Sequence, residues 1–509
     1  MRLATSLLSI AITATITPKL SASEGWNRFR GPNGSGVAQA SRPPIKLGEE
    51  TTAWKVPVPA GLSSPVVSGS RLFLTGFEDG RLVTLAFDKA TGRRLWSRKA
   101  PEVSIEKVHQ ANGPATPTPL IDENRLFVRF GSFGLLSYDH EGRELWRKPL
   151  PLTQSLYGSS TSPIGYEDKV ILVLDDDANL PQSRVSRSKI LAVHKATGET
   201  AWETPRPFHR SGWSTPMIWS YGKRKELVVL GNGVLRGYAL PTGEETWFVR
   251  GFSRETIATP VQGAGLLFAS GSKLGGAADL QPDPLPFWKA VISFDANGDD
   301  KLARKEMTEP FTFPFRPELP PGHPGYGMPL PKDKKQRERK LDGMFRWMDK
   351  NQDGFWTEKE FLANLRIGHG KPLLVAVRPG GKGDATETHV EWELNRGLPE
   401  VPSPLFHRDR IYMVRSGGVL TAVDAKTGTM LYRERLGGFG QYVSSPVIAR
   451  NHLYLASEIG LVSVVPTGDS FEIAHQYDLK ATIEATPALD EDTLYLRTKS
   501  HLHAFRQKE

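Results

Sequence analysis

The chain has 509 residues, of which 39% are apolar, 49 are glycine and 39 are proline, and its formal net charge is +9. Many glycines and prolines beside enough apolar residues for a core favour a globular fold of short strands and tight turns. The absence of cysteine excludes disulfides, thiolate metal sites, c-type haem attachment and a cysteine nucleophile, and because the basic residues are scattered we expect no nucleic-acid partner.

The N-terminal residues match an export signal. Arg2 precedes an apolar run at residues 7–16 and small residues at 21–23, which is the pattern of a secretory signal peptide. We expect residues 1–23 to be a signal peptide and the mature protein to be soluble, either periplasmic or secreted; a frayed or buried N-terminal strand is the alternative. No later run has the length of a membrane helix, so we expect no membrane span.

A Ser/Thr-Pro step recurs along the chain. Each step is followed by a short apolar run and then by a longer one rich in β-branched or aromatic residues, for example residues 72–74 and 126–128. The eight steps begin at Ser64, Thr118, Ser162, Thr215, Thr259, Ser403, Ser445 and Thr486. Repetition of this kind predicts a fold built from similar units.

Most repeats close on a glycine turn with an aromatic residue four places later. The glycine supplies the positive φ that a tight hairpin needs, and the aromatic ring can fill the space between neighbouring sheets. The clear pairs are Gly92 with Trp96, Gly142 with Trp146, Gly198 with Trp202, Gly243 with Trp247, and Gly428 with Tyr432. Strands at this spacing predict a four-stranded propeller blade for each repeat.

The ring is expected to close with strands from both ends of the chain. The last repeat stops after residues 502–505, whereas residues 52–56 look like a fourth strand that precedes the first Ser-Pro step. Joining the two would remove the free sheet edges. Residues 24–50 are then an irregular lead-in, which we expect to pack on the outside of the ring.

An insertion divides the propeller into residues 51–279, which hold blades 1 to 4 and the first part of blade 5, and residues 369–509. Between the fifth and sixth steps the repeat spacing triples, and residues 280–368 carry no blade pattern. Residues 349–360 match every position of the EF-hand calcium loop and lie between two helical patterns. The predicted fold class is therefore all-β, an eight-bladed β-propeller of four-stranded blades with a small α-helical EF-hand insertion.

Calcium is the metal that these loops predict, because it prefers oxygen ligands. The ligands expected in the loop at 349–360 are Asp349, Asn351, Asp353, the Phe355 carbonyl and a bidentate Glu360. The ligands expected in a less regular loop at 295–306 are Asp295, Asn297, Asp299, the Lys301 carbonyl and Glu306. Asp300 replaces glycine at its sixth position, so we expect weaker binding there. An acidic turn without metal is the alternative for both loops.

The segments Asp-Lys-Ala-Thr-Gly-Arg-Arg-Leu-Trp at 88–96 and His-Lys-Ala-Thr-Gly-Glu-Thr-Ala-Trp at 194–202 resemble the pyrroloquinoline-quinone (PQQ) repeat. Families with this repeat include quinoprotein alcohol dehydrogenases and a non-catalytic outer-membrane assembly lipoprotein, and the resemblance implies an eight-bladed propeller. The dehydrogenases imply PQQ as cofactor, with a vicinal cysteine disulfide and a carboxylate set that holds calcium. This chain has no cysteine and that carboxylate set does not align with it, which argues against PQQ.

Polar and aromatic residues fall on the loops between blades, where propellers bind ligands at a channel mouth. Those expected at the mouth are His109, Asn112, His209, Trp213, Arg254 and Tyr442. A ligand there would be anionic or sugar-like, and the alternative is that these residues are only solvated or form turns. Asp175 to Asp177 follow a strand and are interpreted as an acidic turn.

Two functions are compatible with the sequence. The favoured one is an exported calcium-binding propeller that acts, as a monomer, as a non-catalytic scaffold for a protein or glycan partner, because no catalytic motif is visible and a fold alone does not imply catalysis. The alternative is a PQQ-dependent alcohol or polyvinyl-alcohol-type dehydrogenase.

Overall fold

Eight antiparallel sheets form a ring in the structure of the protein, a computed structural model. It describes residues 25–177, 187–206, 209, 211–253, 255–272, 285–308, 311–314, 330–364 and 371–507. The predicted all-β, eight-bladed propeller of four-stranded blades is confirmed, and blades 4 and 7 each carry one short additional parallel strand. The predicted signal peptide lies outside the described residues. Within them, no helix is long and apolar enough to cross a membrane.

The first four blades follow each other along the chain. Blade 1 has the strands Val66–Ser68, Arg71–Glu78, Arg81–Asp88 and Arg94–Lys99. Blade 2 has Leu120–Asp122, Arg125–Phe130, Gly134–Asp139 and Glu144–Pro149. Blade 3 has Ile164–Tyr166, Lys169–Leu174, Lys189–His194 and Thr200–Pro205. Blade 4 has Met217–Tyr221, Arg224–Gly231, Val234–Ala239 and Glu245–Arg250, with Gly383–Asp384 beside it.

The other four blades include the interrupted one and the one that closes the ring. Blade 5 has Val261–Gly263, Leu266–Gly271, Leu373–Val377 and Val390–Leu394. Blade 6 has Leu405–His407, Arg410–Arg415, Val419–Asp424 and Met430–Arg435. Blade 7 has Val447–Ala449, His452–Ala456, Leu461–Pro466 and His475–Asp478, with Val37–Ala38 beside it. Blade 8 has Ala488–Asp490, Thr493–Arg497, His501–Arg506 and Thr52–Pro57.

Short helical elements lie outside the blades. The helices are Leu285–Ile292, Lys334–Met348, Glu358–Asn364 and Thr386–His389, and the 3-10 turns are Pro32–Gly34 and Arg304–Glu306. The insertion also holds the short strands Lys301–Ala303 and Phe355–Thr357. The predicted bounds of the insertion, residues 280 and 368, lie outside the described residues.

The hydrophobic core lies between neighbouring blades. Val66 and Phe73 of blade 1, for example, are buried in one cluster with Leu126 and Val128 of blade 2. Clusters of the same kind join each later pair of blades. Successive side chains of a strand point to opposite faces, and nearly all of those in the second and third strands of blade 1 are buried, so these strands are covered on both sides.

Tryptophans on the outer strands set the contact between blades. The Trp96 ring lies against Gly142 of the next blade, and its Nε1–H donates to the His140 carbonyl at 2.9 Å. Gly142 has a φ of +80°, and a Cβ there would lie 2.8 Å from the ring, so only glycine fits. The same contact joins Trp54 to Gly92, Trp146 to Gly198, Trp202 to Gly243, and Trp392 to Gly428. At these junctions the prediction that an aromatic ring fills the gap between sheets is confirmed.

A chain of buried hydrogen bonds links the Ser/Thr-Pro steps around the channel. The Ser64 N–H donates to the Thr118 hydroxyl at 2.9 Å, and the Thr118 N–H donates to the Ser162 hydroxyl at 3.0 Å. Five more junctions carry this bond, namely Ser162 to Thr215, Thr259 to Ser403, Ser403 to Ser445, Ser445 to Thr486 and Thr486 to Ser64. Between blades 4 and 5 the link is missing, and the buried Thr259 hydroxyl has no partner.

The N-terminal strand closes the ring. Thr52–Pro57 pairs antiparallel with His501–Arg506, and Trp54 lies opposite Ala504. The prediction that the last repeat takes its fourth strand from the N-terminal region is confirmed. Closure leaves no blade with an unpaired strand at this junction.

The lead-in lies across the lower end of the central channel, which is the end away from the Ser/Thr-Pro steps. The Trp26 carbonyl accepts from the Val67 N–H at 2.8 Å, and Val37–Ala38 pairs in parallel with Val447–Ala449. The buried Arg30 donates to the Pro404 carbonyl at 2.8 Å. The expectation that the lead-in packs on the outside is wrong, because the inner strands turn free N–H and C=O groups towards the channel and the lead-in satisfies them.

The hydrogen-bonded ring predicts a difference between two isosteric substitutions. Thr118→Val leaves the buried Ser64 N–H without an acceptor, so the free energy of unfolding should fall by about 1–3 kcal/mol. Thr259→Val is the matched control: it removes a hydroxyl that has no partner and should change the free energy by less than about 0.5 kcal/mol. Calorimetric melting of both variants measures the difference, and equal losses would contradict a stabilising role for the ring.

Candidate functional site

The insertion leaves blade 5 at the upper end of the ring, where the Ser/Thr-Pro steps lie. It departs after Leu266–Gly271 and returns at Leu373–Val377, the second and third strands of that blade. The connection between these two strands is at the same end in every blade, because the strands run antiparallel. The insertion is therefore part of the upper face.

A separate apolar core holds the insertion together. The helix Lys334–Met348 buries Leu341, Phe345 and Met348, which lie on one face at helical spacing. At its N-terminus Asp333 accepts from the Gln336 N–H at 2.8 Å, which caps the helix. This core shares no residue with the clusters between blades, so the described part of the insertion is stabilised from within.

The two predicted calcium loops lie side by side. Lys301–Ala303 of the first loop pairs antiparallel with Phe355–Thr357 of the second, and Leu302 lies opposite Trp356. Both residues are the eighth of their loops. The pairing fixes the loops relative to each other through backbone hydrogen bonds.

Backbone N–H groups hold the side-chain oxygens of the second loop. Asp349 accepts from the Gly354 N–H at 3.1 Å, and Asn351 accepts from the Asp353 N–H at 3.0 Å. Asp353 in turn accepts from the Phe355 N–H at 3.0 Å. These bonds turn the expected ligand side chains towards the inside of the loop.

The first loop repeats the same hydrogen bonds at the same positions. Asp295 accepts from the Asp300 N–H at 3.0 Å, and Asn297 accepts from the Asp299 N–H at 3.1 Å. Asp299 accepts from the Lys301 N–H at 3.1 Å, and Glu306 accepts from a backbone N–H of the loop at 2.8 Å. The local geometry of the two loops is therefore alike, despite the irregular sequence of the first.

The side chains present fit a hard cation. Asp349 is only 8% exposed, and its Oδ1 is buried without a hydrogen-bond partner. A buried carboxylate oxygen without a donor is costly, and a cation would satisfy it. Among the described residues no three His, Cys, Asp or Glu side chains converge on one point. Calcium binding stays a prediction.

At the sixth position the two loops have different residues but the same left-handed backbone conformation. Gly354 has a φ of +86°, and Asp300 has a φ of +60° at the matching position. A side chain in this left-handed region costs energy that glycine does not pay. The substitution is therefore tolerated with strain, and the weaker calcium binding expected of the first loop stays a prediction.

Three of the predicted mouth residues meet at the junction of blades 2, 3 and 4. The Tyr157 ring packs edge-on against His109 at 4.9 Å and against Trp213 at 5.0 Å between ring centroids. Asn112 donates to the Tyr157 carbonyl at 2.9 Å, and the Trp213 Nε1–H donates to the Gly158 carbonyl at 3.1 Å. These residues therefore pack the connections between blades against one another.

The remaining mouth residues do not join this cluster. His209 is buried and accepts from Arg236 at 3.1 Å; burial, and then the charges of Arg206 and Arg236, hold the pKa of His209 well below its usual value, so its ring is neutral at pH 7. Tyr442 is buried between blades 6 and 7. Arg254 lies outside the described residues.

The sequence reasoning missed the partners of the acidic turn. The three contacts are Asp175 with Arg206 at 2.6 Å, Asp176 with Arg187 at 2.7 Å, and Asp177 with the Ser211 N–H at 2.9 Å. Asp175 and Arg206 are both buried. The turn is thus tied to the connection between blades 3 and 4. A charged residue at the end of a buried strand is the only sequence signal for such a pair.

A family model described as outer membrane protein assembly factor BamB (PQQ_2) matches residues 45–215 and 382–509, more than half of the chain. The chain belongs to this family. A search among curated proteins found no significant match. The matched residues of this BamB-family chain lie on both sides of the insertion.

Solved structures share the propeller fold with this BamB-family chain. BamB from Moraxella catarrhalis is 12% identical with a TM-score of 0.52, and the match covers 90% of this chain and 98% of that one. Quinohemoprotein alcohol dehydrogenase ADHIIG from Pseudomonas putida HK5 is 12% identical with a TM-score of 0.53, covering 95% and 80%. The computationally designed Ika8 protein is 10% identical with a TM-score of 0.51, covering 90% and 100%. At these identities the likeness shows the fold alone.

The buried arginines that the structure describes at the upper end do not fit PQQ, a planar quinone with three carboxylates. Such a ligand needs cations that are free to pair with it. The buried cations there already donate to the protein: Arg129 to the Thr161 carbonyl, Arg206 to Asp175, and Arg497 to the Ser63 carbonyl. Among the described residues, these three arginine side chains therefore stabilise the junctions between blades.

The strain at Asp300 predicts opposite effects of two substitutions in the insertion. Asp300→Gly should stabilise the insertion by about 1 kcal/mol, because the left-handed backbone no longer carries a side chain. Gly354→Asp should destabilise it by a similar amount for the same reason. Thermal melting of the metal-free full-length protein measures both. Destabilisation by Asp300→Gly would show that the Asp300 side chain has a stabilising role that outweighs the strain.

Proposed function

We propose that the protein is an exported, calcium-binding propeller that acts as a non-catalytic scaffold and docks a protein partner on its upper face. Its lower end is covered by the lead-in, which hydrogen-bonds to the inner strands. The upper face, with the loops between blades and the insertion, is the remaining large surface for a partner. Membership of a family named for outer membrane protein assembly supports a protein partner in the cell envelope.

An exposed apolar pair on the upper face carries this proposal. Phe439, on the connection between blades 6 and 7, is 83% exposed, and Ile459, on a loop of blade 7, is 55% exposed. Gly440 lies against Ile459, so the two side chains belong to neighbouring loops. Large aromatic and aliphatic groups in water are unfavourable and are typical of the anchors of protein interfaces.

Further apolar side chains extend this surface around the ring. Leu152 and Leu156 are exposed on the connection between blades 2 and 3, which is also at the upper end. A rigid ring holds such loops at fixed distances, so binding costs little conformational entropy. This arrangement suits a scaffold better than a catalyst, for which no arrangement of reacting groups is seen among the described residues.

Calcium would stabilise the insertion within this scaffold. Asp349, Asn351, Asp353, the Phe355 carbonyl and Glu360 would hold the ion in the second loop. Calcium bound there would neutralise carboxylates that otherwise repel each other and would join the two flanking helices. The first loop would bind more weakly through its matching set.

The calcium proposal predicts unequal effects in three Glu→Gln variants. Glu360→Gln removes the bidentate carboxylate and should abolish the tighter site, while Glu306→Gln should remove only the weaker one. Glu358→Gln, an exposed residue of the same loop that is not an expected ligand, is the control. Calorimetric titration with calcium measures the affinity of all three variants. In the parent protein, calcium at 100 times its dissociation constant should raise the free energy of unfolding by about 2.7 kcal/mol. Unchanged calcium binding by Glu360→Gln would refute the assignment.

The docking proposal predicts where a partner crosslinks. A photoreactive residue at Phe439 should crosslink a defined protein in envelopes of the native cell, and Ile459→Ser in the same chain should reduce that product without changing the melting temperature. A photoreactive residue at Ile459 should behave in the same way when it is combined with Phe439→Ser. Met430, which is 40% exposed at the lower edge of blade 6, is the control position and should give no product. Equal crosslinking from Met430, or PQQ-dependent alcohol oxidation by the purified protein, would contradict the proposal.

A further inference from the structure

The helix Lys334–Met348 has one side against the core of the insertion and the other side in solvent. The solvent side is basic. It carries four exposed cations that border one stretch of surface, namely Lys334, Lys335, Arg339 and Arg346. None of these four side chains has an ion pair or a hydrogen bond with the described part of the chain. Their charges are therefore available to a partner.

The acidic residues of the same helix already have partners. Asp333 caps the first turn, where it accepts from a backbone N–H at 2.8 Å. Arg304 of the first loop pairs with Glu338 at 2.6 Å and with Asp342 at 2.7 Å. One guanidinium between two carboxylates leaves one negative charge, against four cations that have no partner. Although cations and carboxylates alternate along residues 332–340, the solvent side of the folded helix therefore attracts anions.

Two of the cations lie at the end of the helix where they destabilise it. Backbone dipoles give the N-terminus of a helix a partial positive charge, which favours acidic residues in the first turn. The first turn here contains no acidic residue, and Lys334 and Lys335 occupy it. This arrangement weakens the helix slightly unless an anion lies close by. The stability of the insertion therefore does not explain why the lysines are there, whereas an anionic partner would.

An exposed tryptophan lies next to the cations. Trp347 follows Arg346 and is 40% exposed, whereas Trp288 and Trp356 are buried in the core of the insertion. Indole rings favour the boundary between lipid chains and headgroups, because the ring is apolar and its N–H is polar. Clusters of lysine and arginine favour anionic lipids. Both features on one exposed helix are typical of a surface that lies on a membrane.

We propose that the solvent side of the helix Lys334–Met348 docks the protein on a membrane surface that contains anionic lipids. The four cations pair with headgroup phosphates, and Trp347 places its ring at the level of the headgroups. Four cations are at the lower limit of the clusters that bind anionic lipids, so the attachment is reversible and weakens as salt is added. The inference does not depend on the proposed function, because neither bound calcium nor the apolar pair at Phe439 takes part in it.

Sedimentation of the calcium-free full-length protein with lipid vesicles at low salt tests this proposal. We expect binding to mixed phosphatidylglycerol and phosphatidylcholine vesicles, and at least about tenfold weaker binding to phosphatidylcholine alone. Lys335→Gln with Arg339→Gln should weaken binding to the anionic vesicles at least about tenfold, because each cation near such a surface contributes about fivefold. The control, Arg93→Gln with Lys223→Gln, removes the same charge from exposed turns at the lower end of the ring and should leave binding unchanged. Any binding by the apolar run at residues 7–16 is common to all these proteins.

Quenching of tryptophan fluorescence by vesicles with brominated lipid chains tests the role of Trp347. The anionic brominated vesicles should quench the parent protein, and Trp347→Phe should lose this quenching. All four substituted cations are exposed, so neither double variant should lower the melting temperature, and this measurement confirms that the variants are folded.

Four results would overturn the proposal. The first is the absence of binding to anionic vesicles, which would favour an acidic protein as the partner of the helix. The second is equal binding to phosphatidylcholine vesicles. The third is equal weakening by the two double variants, which would indicate attraction by the overall charge of the protein. The fourth is unchanged quenching in Trp347→Phe.

Discussion

The bond from one Ser/Thr-Pro step to the next is the contact on which the ring depends. Each hydroxyl accepts the N–H of the preceding blade, as Thr118 does from Ser64 at 2.9 Å, and the residue that carries it is held in an extended conformation by the proline that follows. A buried N–H must have an acceptor, so the distance between neighbouring inner strands is set at each of the seven junctions that carry this bond. At five junctions a Trp–Gly contact fixes the same spacing at the outer edge.

Both faces of the molecule follow from this ring. On the lower side the inner strands are close enough together for one short lead-in to reach several of them, and a cavity lies beside Gly165. On the upper side the connections between blades are packed by groups such as Tyr157 and Trp213. The ring thus leaves its upper loops as the surface that can carry exposed apolar residues and an insertion.

The insertion sits in the blade that borders the one junction where the ring bond is missing. The Thr259 hydroxyl at that junction has no partner, while the insertion has a core of its own around residues such as Phe345 and Trp356. A segment with its own core needs few stabilising contacts with the blade into which it is inserted. Calcium binding to the insertion, as proposed above, would therefore not require the propeller to change.

The sequence alone determined the repeated elements of this protein. The Ser/Thr-Pro steps, the glycine turns and the strand at Thr52–Pro57 identified the eight blades and their closure, because each depends on local backbone chemistry and on a period that can be counted. The calcium-loop pattern was visible for the same reason, and the structure adds that Asp300 adopts the left-handed conformation of Gly354.

Tertiary structure decided everything that depends on which distant groups meet. Spacing along the sequence could not show that the lead-in crosses the lower end of the channel or that Asp175 pairs with Arg206. It also could not show that the predicted mouth residues lie in separate places. Single polar residues on loops carry no periodic signal, and their partners lie on other blades. Their roles are set by the closed ring, which brings those blades together.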